Sequence, residues 1–556
     1  MAGSAGFTAS CSRHFASNHV RISEAGDSAL LLELDEVINV SVNAQAIAVA
    51  GAVRGAGLPG IRDVVSTYRS VAVHFDPLTL DIETLHNTLA RAADTPPVIE
   101  EGKTVVIPVQ YGGDMGPDLR AVAAFAGISP DEVVARHASA RYRVFMLGFL
   151  PGFTYMGTVD ESIAMPRHAT PRLKVPTGSV GIAGRQTGVY PRESPGGWQL
   201  IGRTPVSLFN PSRVPAALVA PGDTVRFVRD KISAPVVSGF SRTSVVSGFS
   251  RTITVLRPGL FTTIQDTGRW GHQAIGVPVS GPMDRLSHRV ANALVGNEPA
   301  AALLEATLAG PEIRIENAAV IAVTGADFSA RLDADDIPLH RPIKCRPGAV
   351  LRFGERRSGA RAYIAFAGGI VTPSMLGSRA THTYCGLGGL DGRAIAAGDR
   401  LPLGAERAPS SSRIVSTPAK NVGGAKVRVI PGPQLDFFPS EALDVLQRTR
   451  FTVTSQSDRM GYRLTGATIP RVEGREMISD ATFTGALQVP PSGDPILLMS
   501  DRQTSGGYPQ LATVITADLP AAGQLAPGDW IEFEICTRAQ AMSALIAQEG
   551  AILALQ

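Results

Sequence analysis

Cysteine is scarce in this sequence. Cys11, Cys345, Cys385 and Cys536 are the four among 556 residues, far apart and without a C-x-x-C pair. That spacing excludes a disulfide framework and a zinc site of paired cysteines, and it fits a reducing cytoplasm. Charge of one sign is lacking too. Lys and Arg number 52 against 49 Asp and Glu, a net charge of +3 with no run of like charge, which argues against a nucleic-acid partner. Long apolar runs are missing. The uncharged stretch Val144 to Val159 is broken by Gly148, Pro151 and Gly152, and the N-terminal MAGSAGFTASCSRHF has no apolar signal core, so no membrane segment is expected.

Several catalytic signatures are also absent. There is no G-x-x-x-x-G-K-[ST] loop to cradle a nucleotide's phosphates, no H-E-x-x-H helix, and no G-x-S-x-G elbow for a serine nucleophile. Gly55-Ala56-Gly57-Leu58-Pro59-Gly60 matches G-x-G-x-x-G only in form. It follows a helical stretch instead of a strand and reads as a helix-ending loop.

Glycine and proline are abundant, 58 and 40 residues, and favour short strands joined by tight turns. The length suggests about three or four folding units. The first, placed at 18–98 after a tail at 1–17, alternates β-α-β-β-α-β with its last strand in TVVIPV (104–109), the order of a ferredoxin-like α/β unit. Ile82, Leu85 and Leu89 share a helix face within it, and Ser129-Pro130-Asp131-Glu132 marks a later helix start. Residues 99–231 read as a β-barrel. A tandem VVSGFSRT (236–243 and 245–252) marks a linker at 232–252, because eight identical residues at a period of nine are too short for a solenoid unit. A β-rich part (253–425) follows, with one clear helix carrying Leu286, Val290 and Leu294. The remainder (426–556) reads as a second barrel that ends in a helix near 540–555.

A weaker repeat relates the two halves. VPTGSVGIAGRQTGVYP (175–191) and VPPSGDPILLMSDRQTSGGYP (489–509) share VP, RQT and YP in order, and each precedes an Ala-Pro-Gly-Asp strand entry at 220–223 or 526–529. Both halves are therefore expected to hold the same barrel.

The chemistry-bearing residues concentrate in these repeats. In the stretch 166–204, Arg167, His168, Arg172, Lys174, Arg185, Arg192 and Arg203 stand beside Glu193 alone, with Gln186 and Tyr190 among them. A cluster of that kind calls for an anion. Planar guanidinium groups and the mobile Lys174 ammonium both suit an amide oxygen that turns into an oxyanion. The second half offers Asp501, Arg502, Gln503 and Tyr508, in which Asp501 orients Arg502 or acts as a base; SDRMGYRL adds Asp458, Arg459 and Arg463. Asp266-Thr-Gly-Arg269 reads as a turn holding both charges, and Ser280-Gly-Pro-Met-Asp284 as a helix start.

GFLPGFTYMG (148–157), PRHATPRLKVPTGSVGIAGRQTGVYPRESPGGWQLIGRT (166–204) and the LFNP to APGDTVRF region (208–227) closely resemble the 5-oxoprolinase B subunit, also known as allophanate hydrolase subunit 1 or a sporulation-kinase inhibitor. PGLFTTIQDTGRWGHQAIGVPVSGPMDRLSHRVANALVGN (258–297), SDRMGYRL and GALQVPPSGDPILLMSDRQTSGGYPQLATV (485–514) resemble the 5-oxoprolinase C subunit, allophanate hydrolase subunit 2. Fused, the pair resembles the carboxyltransferase region of urea carboxylase and urea amidolyase. The resemblance implies a mainly β fold with α+β units and cyclophilin-like barrels in both halves. It implies hydrolysis of 5-oxo-L-proline to L-glutamate with ATP and Mg, together with a separate 5-oxoprolinase A subunit. Lys174, Arg185 and Arg502 would then steady negative charge on oxygen. The urea carboxylase branch implies carboxyl transfer from carboxybiotin to an amide nitrogen instead, but this sequence has no biotin-carrier Met-Lys-Met and no biotin carboxylase, so the partners would act in trans. A kinase inhibitor without catalysis is the third implication. Oligomeric state is left open, with a homo-oligomer compatible.

Overall fold

A computed structural model describes residues 20–97, 102–230, 251–406 and 423–554. The tail at 1–17 and nearly all of the VVSGFSRT repeat lie outside the described residues; its last residue, Thr252, starts the first strand of the second half, Thr252–Arg257.

The N-terminal unit is a four-stranded sheet carrying two helices. Its elements are β1 (Arg21–Glu24), β2 (Ala29–Glu33), α1 (Val40–Gly55), β3 (Ile61–Ser66), β4 (Ser70–Phe75) and α2 (Ile82–Asp94), with strand order β1-β2-β4-β3. Asn39 and Asp81 cap the helices by accepting backbone N–H bonds from Ser41 and Thr84. TVVIPV does not close this sheet. It belongs to β5 (Thr104–Tyr111), which runs parallel to Thr224–Arg229 in the barrel that follows, and β1, whose Arg21-Ile-Ser-Glu24 lacks a clear apolar signal, takes the edge place. Both sheet faces are buried. Leu30, Leu32, Val64, Val71 and Val73 pack under the helices, while Leu31, Val65 and Ala72 pack on Ala481, Phe483, Ala486 and Leu498 of the other half. Burial on both sides explains why ALLLE reads as an unbroken apolar run.

Each half contains a closed seven-stranded barrel, and the two have the same connectivity. In the first, the parallel pair β5 and Thr224–Arg229 is continued by Tyr142–Leu147, Thr154–Gly157, Gln186–Val189, Ser179–Ala183 and Gln199–Arg203. In the second, the parallel pair Gly424–Pro431 and Trp530–Ile535 is continued by Phe451–Val453, Gly461–Thr465, Ile496–Leu498, Ala486–Gln488 and Gln510–Val514. The Ala-Pro-Gly-Asp turns correspond in detail: Asp223 and Asp529 each accept the N–H of their own Ala220 or Ala526 at 2.8 Å. The RQT segments do not correspond. Arg185 precedes the strand Gln186–Val189, whereas Arg502 follows Ile496–Leu498. The strand pairings instead align the ribbon serines Ser194 and Ser505, each paired to an earlier short strand and each followed at equal spacing by Gln199 or Gln510. Arg192, not Arg185, thus occupies the region equivalent to Arg502.

Between the barrels in sequence comes a sandwich of a six-stranded and a five-stranded antiparallel sheet. Ile253, Ile313, Leu351, Ile321 and Ile364 fill its interior. The helix Arg285–Leu294, capped by Asp284, covers the outer face of the five-stranded sheet through Val290, Ala291 and Leu294. No helix among the described residues is long and apolar enough to cross a membrane.

The GFLPGF loop plugs into the second half. Phe149 N donates to Ser505 Oγ at 2.9 Å, and Gly152 N donates to Ile275 O at 2.9 Å. Gly276 lies so close to this loop that a Cβ would stand 2.2 Å from Leu150 O.

Candidate active site between the sandwich and the second barrel

A cavity of about 520 Å³ opens where the sandwich meets the second barrel. Phe261, Thr307, Ala360 and Arg361 come from the sandwich strands, Thr383 and Tyr384 from the connection between Ser358–Phe366 and Arg400–Pro402, and Asp458, Arg459, Tyr462 and Asp501 from the barrel. Its size is within the range of small-molecule sites.

Arg459 is the most heavily tethered group in it. Its Nε donates to Asp501 Oδ2 at 2.9 Å, Nη2 to Asp501 Oδ1 at 3.1 Å and to Gly281 O at 2.6 Å, and Nη1 to Glu305. Glu305 also accepts from Tyr363 Oη at 2.8 Å and from Met283 N at 2.9 Å. Burial alone would lower the guanidinium, but the two carboxylates hold it well above its ordinary value. Asp501 is the reciprocal case. Burial would raise it, yet Arg459 and the Ser280 hydroxyl at 2.6 Å keep it below the usual carboxylate range. An ionised, bidentate Asp501 is a poor base, and it orients Arg459 rather than its chain neighbour Arg502.

Arg502 points the other way, into the contact between halves. Its Nη2 donates to Gln273 Oε1 at 2.8 Å, and Gln273 N in turn is held by Asp63 of the N-terminal unit at 3.0 Å. Burial and then the like charge of Arg285 pull the Arg502 guanidinium down to about 9, against the attraction of Asp63.

Arg361 differs from Arg459 in having no carboxylate partner among the described residues. It is 4 % exposed in the fully buried strand Ser358–Phe366 and lies over the Tyr462 ring at 5.7 Å. Nη1 donates to Tyr462 Oη at 2.7 Å, Gly523 O at 2.6 Å and Leu525 O at 3.3 Å. Neither Arg361 nor Glu305 stands out among the sequence motifs. The available signal is an arginine in the apolar GARAYIAFAGG and a glutamate in LLEAT, both out of place in buried strands.

The remaining candidates scatter. Lys174 and Arg185 do not reach the cavity: they are exposed and pair with Glu193 at 3.4 Å and Glu161 at 2.8 Å. His168 and Arg172 both approach Asp118, at 3.4 and 2.6 Å, a carboxylate that also accepts from Leu200 N. Lys174, Arg185, His168 and Arg172 of the basic cluster therefore face protein carboxylates, of which Glu193 lies within the cluster's own stretch. Gln186 starts a barrel strand, Arg203 ends one half-buried, and Tyr190 packs edge-on against Phe153. Arg192 approaches the cavity only through Tyr384, over whose ring its guanidinium lies at 5.7 Å. Asp266 accepts from Ser378 Oγ and Arg379 N; Arg269 donates to Met375 O and Ala380 O, so this pair pins the loop before Thr383. Asp284 caps its helix and accepts from Gln524. Arg463 and Tyr508 are surface residues, and Gln503 lends its carbonyl to Thr482.

Comparison with known proteins agrees with this architecture. Residues 20–219 match the carboxyltransferase domain, subdomain C and D, and residues 275–535 match the carboxyltransferase domain, subdomain A and B. The second half is 37% identical over 292 residues to the 5-oxoprolinase C subunit of Escherichia coli, covering 52% of this chain and 94% of that protein. The first half is 41% identical over 221 residues to the 5-oxoprolinase B subunit of Bacillus subtilis, covering 38% and 92%. Urea amidolyase of Saccharomyces cerevisiae is 33% identical over 350 residues, 59% of this chain but 19% of that protein. The crystal structure of TTHA0988 superposes with a TM-score of 0.82 at 35% identity, over 91% of this chain and 99% of that one. The chain thus belongs to the carboxyltransferase-domain family of the 5-oxoprolinase B and C subunits, with a B-like and a C-like half joined in one polypeptide.

Proposed function

We propose that the chain supplies the B and C components of an ATP-dependent 5-oxoprolinase, which opens the lactam 5-oxo-L-proline to L-glutamate together with a separate A subunit. The observation that carries this reading is the cavity lined by two guanidinium groups in the C-like half, in a chain whose halves each match a 5-oxoprolinase subunit.

Arg459 is the group we assign to the amide oxygen. Its contacts with Asp501, Glu305 and Gly281 O fix the fork in place and leave one Nη1 hydrogen without an acceptor among the described residues. A donor held rigid before reaction stabilises a developing oxyanion without reorganising. Asp458 is the carboxylate we assign to the attacking water. One of its oxygens accepts from Met460 N and Gly461 N, and the other takes no hydrogen bond from the described residues.

The cavity does not suit a triphosphate: it has no glycine-rich backbone cradle, Arg459 is already neutralised, and Asp458 adds negative charge. ATP and Mg are therefore assigned to the A subunit. The direct test mixes the pure chain with the A subunit, ATP, Mg and 5-oxo-L-proline and measures glutamate. Glutamate formed only when all are present supports the reading, and none formed rejects it.

A second reading, carboxyl transfer to urea or a related amide, is favoured by the urea amidolyase match and by the carboxyltransferase models that cover both halves. It requires biotin-carrier partners in trans. Urea with a carboxylated biotin carrier is its assay.

A further inference from the structure

We propose that Arg361 is the specificity-determining residue of this cavity and that it grips a carboxylate, so that the site takes a small amide carrying its own negative charge in preference to a neutral one. This assignment rests on the lactam reading above and deepens it.

The cavity holds two guanidinium groups, and their surroundings differ in kind. Arg459 is ion-paired to Glu305 and Asp501. Arg361 pairs with no carboxylate within 4.0 Å among the described residues, although it is 4 % exposed. A buried charge left unpaired is costly, and proteins keep one where a ligand completes it.

The unsatisfied donors point to the same conclusion. Nη1 is saturated by Tyr462 Oη, Gly523 O and Leu525 O, while Nε is buried without a partner and Nη2 has no acceptor among the described residues. Tyr462 and Leu525 themselves line the cavity, which places the guanidinium at its wall. Anchoring of Nη1 on Tyr462 Oη, Gly523 O and Leu525 O holds the fork in place. A fixed fork with free N–H groups is what a carboxylate binds best. Arg459 would then face the amide oxygen while Arg361 faces the carboxylate, which sets the ring between two cations of different roles.

The test compares 5-oxo-L-proline with 2-pyrrolidinone, the same ring without its carboxylate. Binding is measured by titration calorimetry on the intact chain, alone and with the A subunit. The unmodified chain should bind 5-oxo-L-proline at least about tenfold more tightly than 2-pyrrolidinone. Arg361→Gln should erase that preference by weakening the acid on the order of 10- to 100-fold while leaving the neutral ring unchanged, and Arg361→Lys should restore part of it. Equal affinity of the unmodified chain for both rings overturns the anchor and leaves the lactam reading standing. Binding of neither ring, with or without the A subunit, rejects the lactam reading and this assignment with it. The comparison of the two ligands on the unmodified chain needs no variant, so equal affinity overturns the proposal even where Arg361→Gln does not fold, and Arg361→Lys then carries the assignment to this residue.

Discussion

Arg459 and Asp501 form a bidentate pair in the wall of the cavity, Nε to Oδ2 at 2.9 Å and Nη2 to Oδ1 at 3.1 Å. Both side chains are buried, so neither partner tolerates removal of the other, and the pair joins the turn before Gly461–Thr465 to the segment after Ile496–Leu498.

Asp501→Asn should therefore lower stability by about 3 kcal/mol, because it leaves a buried guanidinium with one carboxylate fewer. It should also change the acid limb. A carboxylate depressed in the folded state contributes stability above its unfolded pKa of about 4 and loses it as pH falls through the folded value. The thermal midpoint of Asp501→Asn should accordingly fall less steeply below pH 4 than that of the unmodified chain. Parallel acid limbs would show that Asp501 is not held ionised.

Arg185 and Lys174 make exposed ion pairs with Glu161 and Glu193. Pairs of this kind contribute about 0–1 kcal/mol. Arg185→Ala and Lys174→Ala should keep glutamate formation in the reconstituted mixture within about twofold, whereas Arg459→Gln should lower kcat by about a hundredfold or more. Loss of turnover in Arg185→Ala would move the chemistry to the first barrel.

Gly276 sits at φ +79°, and a Cβ there would meet Leu150 O at 2.2 Å. The obstacle is a backbone carbonyl of the GFLPGF loop, which has little room to yield. Gly276→Ala should destabilise the chain by at least about 2 kcal/mol in urea unfolding, through both the strained dihedral and the parted halves. An unchanged midpoint would mean that the halves do not close on each other there.

His137 lies buried inside the first barrel between Tyr111 Oη at 2.8 Å and Thr187 Oγ1 at 2.9 Å, and burial pushes its pKa down to about 3. A histidine depressed in the folded state gives stability that is complete above its unfolded pKa of about 6.5 and drains away as pH falls from there toward 3. His137→Gln should flatten stability between pH 6.5 and 4, whatever it does at neutral pH. Denaturant midpoints over that range, compared between the two proteins, read the effect.

Much of the fold was legible because it follows from local chemistry. Ser129 caps the helix Pro130–Ser139 by accepting from Glu132 N, and Asp284 caps Arg285–Leu294, as their spacing before apolar periodic segments implies. The Ala-Pro-Gly-Asp turns announced two equivalent barrels because an aspartate accepting its own turn's N–H is written in adjacent residues. The RQT match misled for the opposite reason. Three shared letters fixed no strand register, and one copy begins a strand while the other follows one.

The candidate site was half legible. Asp501 and Arg459 stood out as charges in a turn-rich context, but the partner each would choose did not, since Glu305 lies 154 residues before Arg459 and chain neighbours such as Asp501 and Arg502 face opposite sides. Arg361 was hidden inside an apolar strand, where the pattern that announces a buried strand conceals the charge it carries.

By itself the sequence determined the turns, the caps, the apolar stripes and so the duplicated barrel, because each depends on residues near one another along the chain. Tertiary structure alone decided which charges stay unpaired, since pairing depends on what strands from distant segments bring within hydrogen-bond reach. It gave Arg459 two carboxylates and left Arg361 with none among the described residues, so that one guanidinium is neutralised by the protein and the other is not.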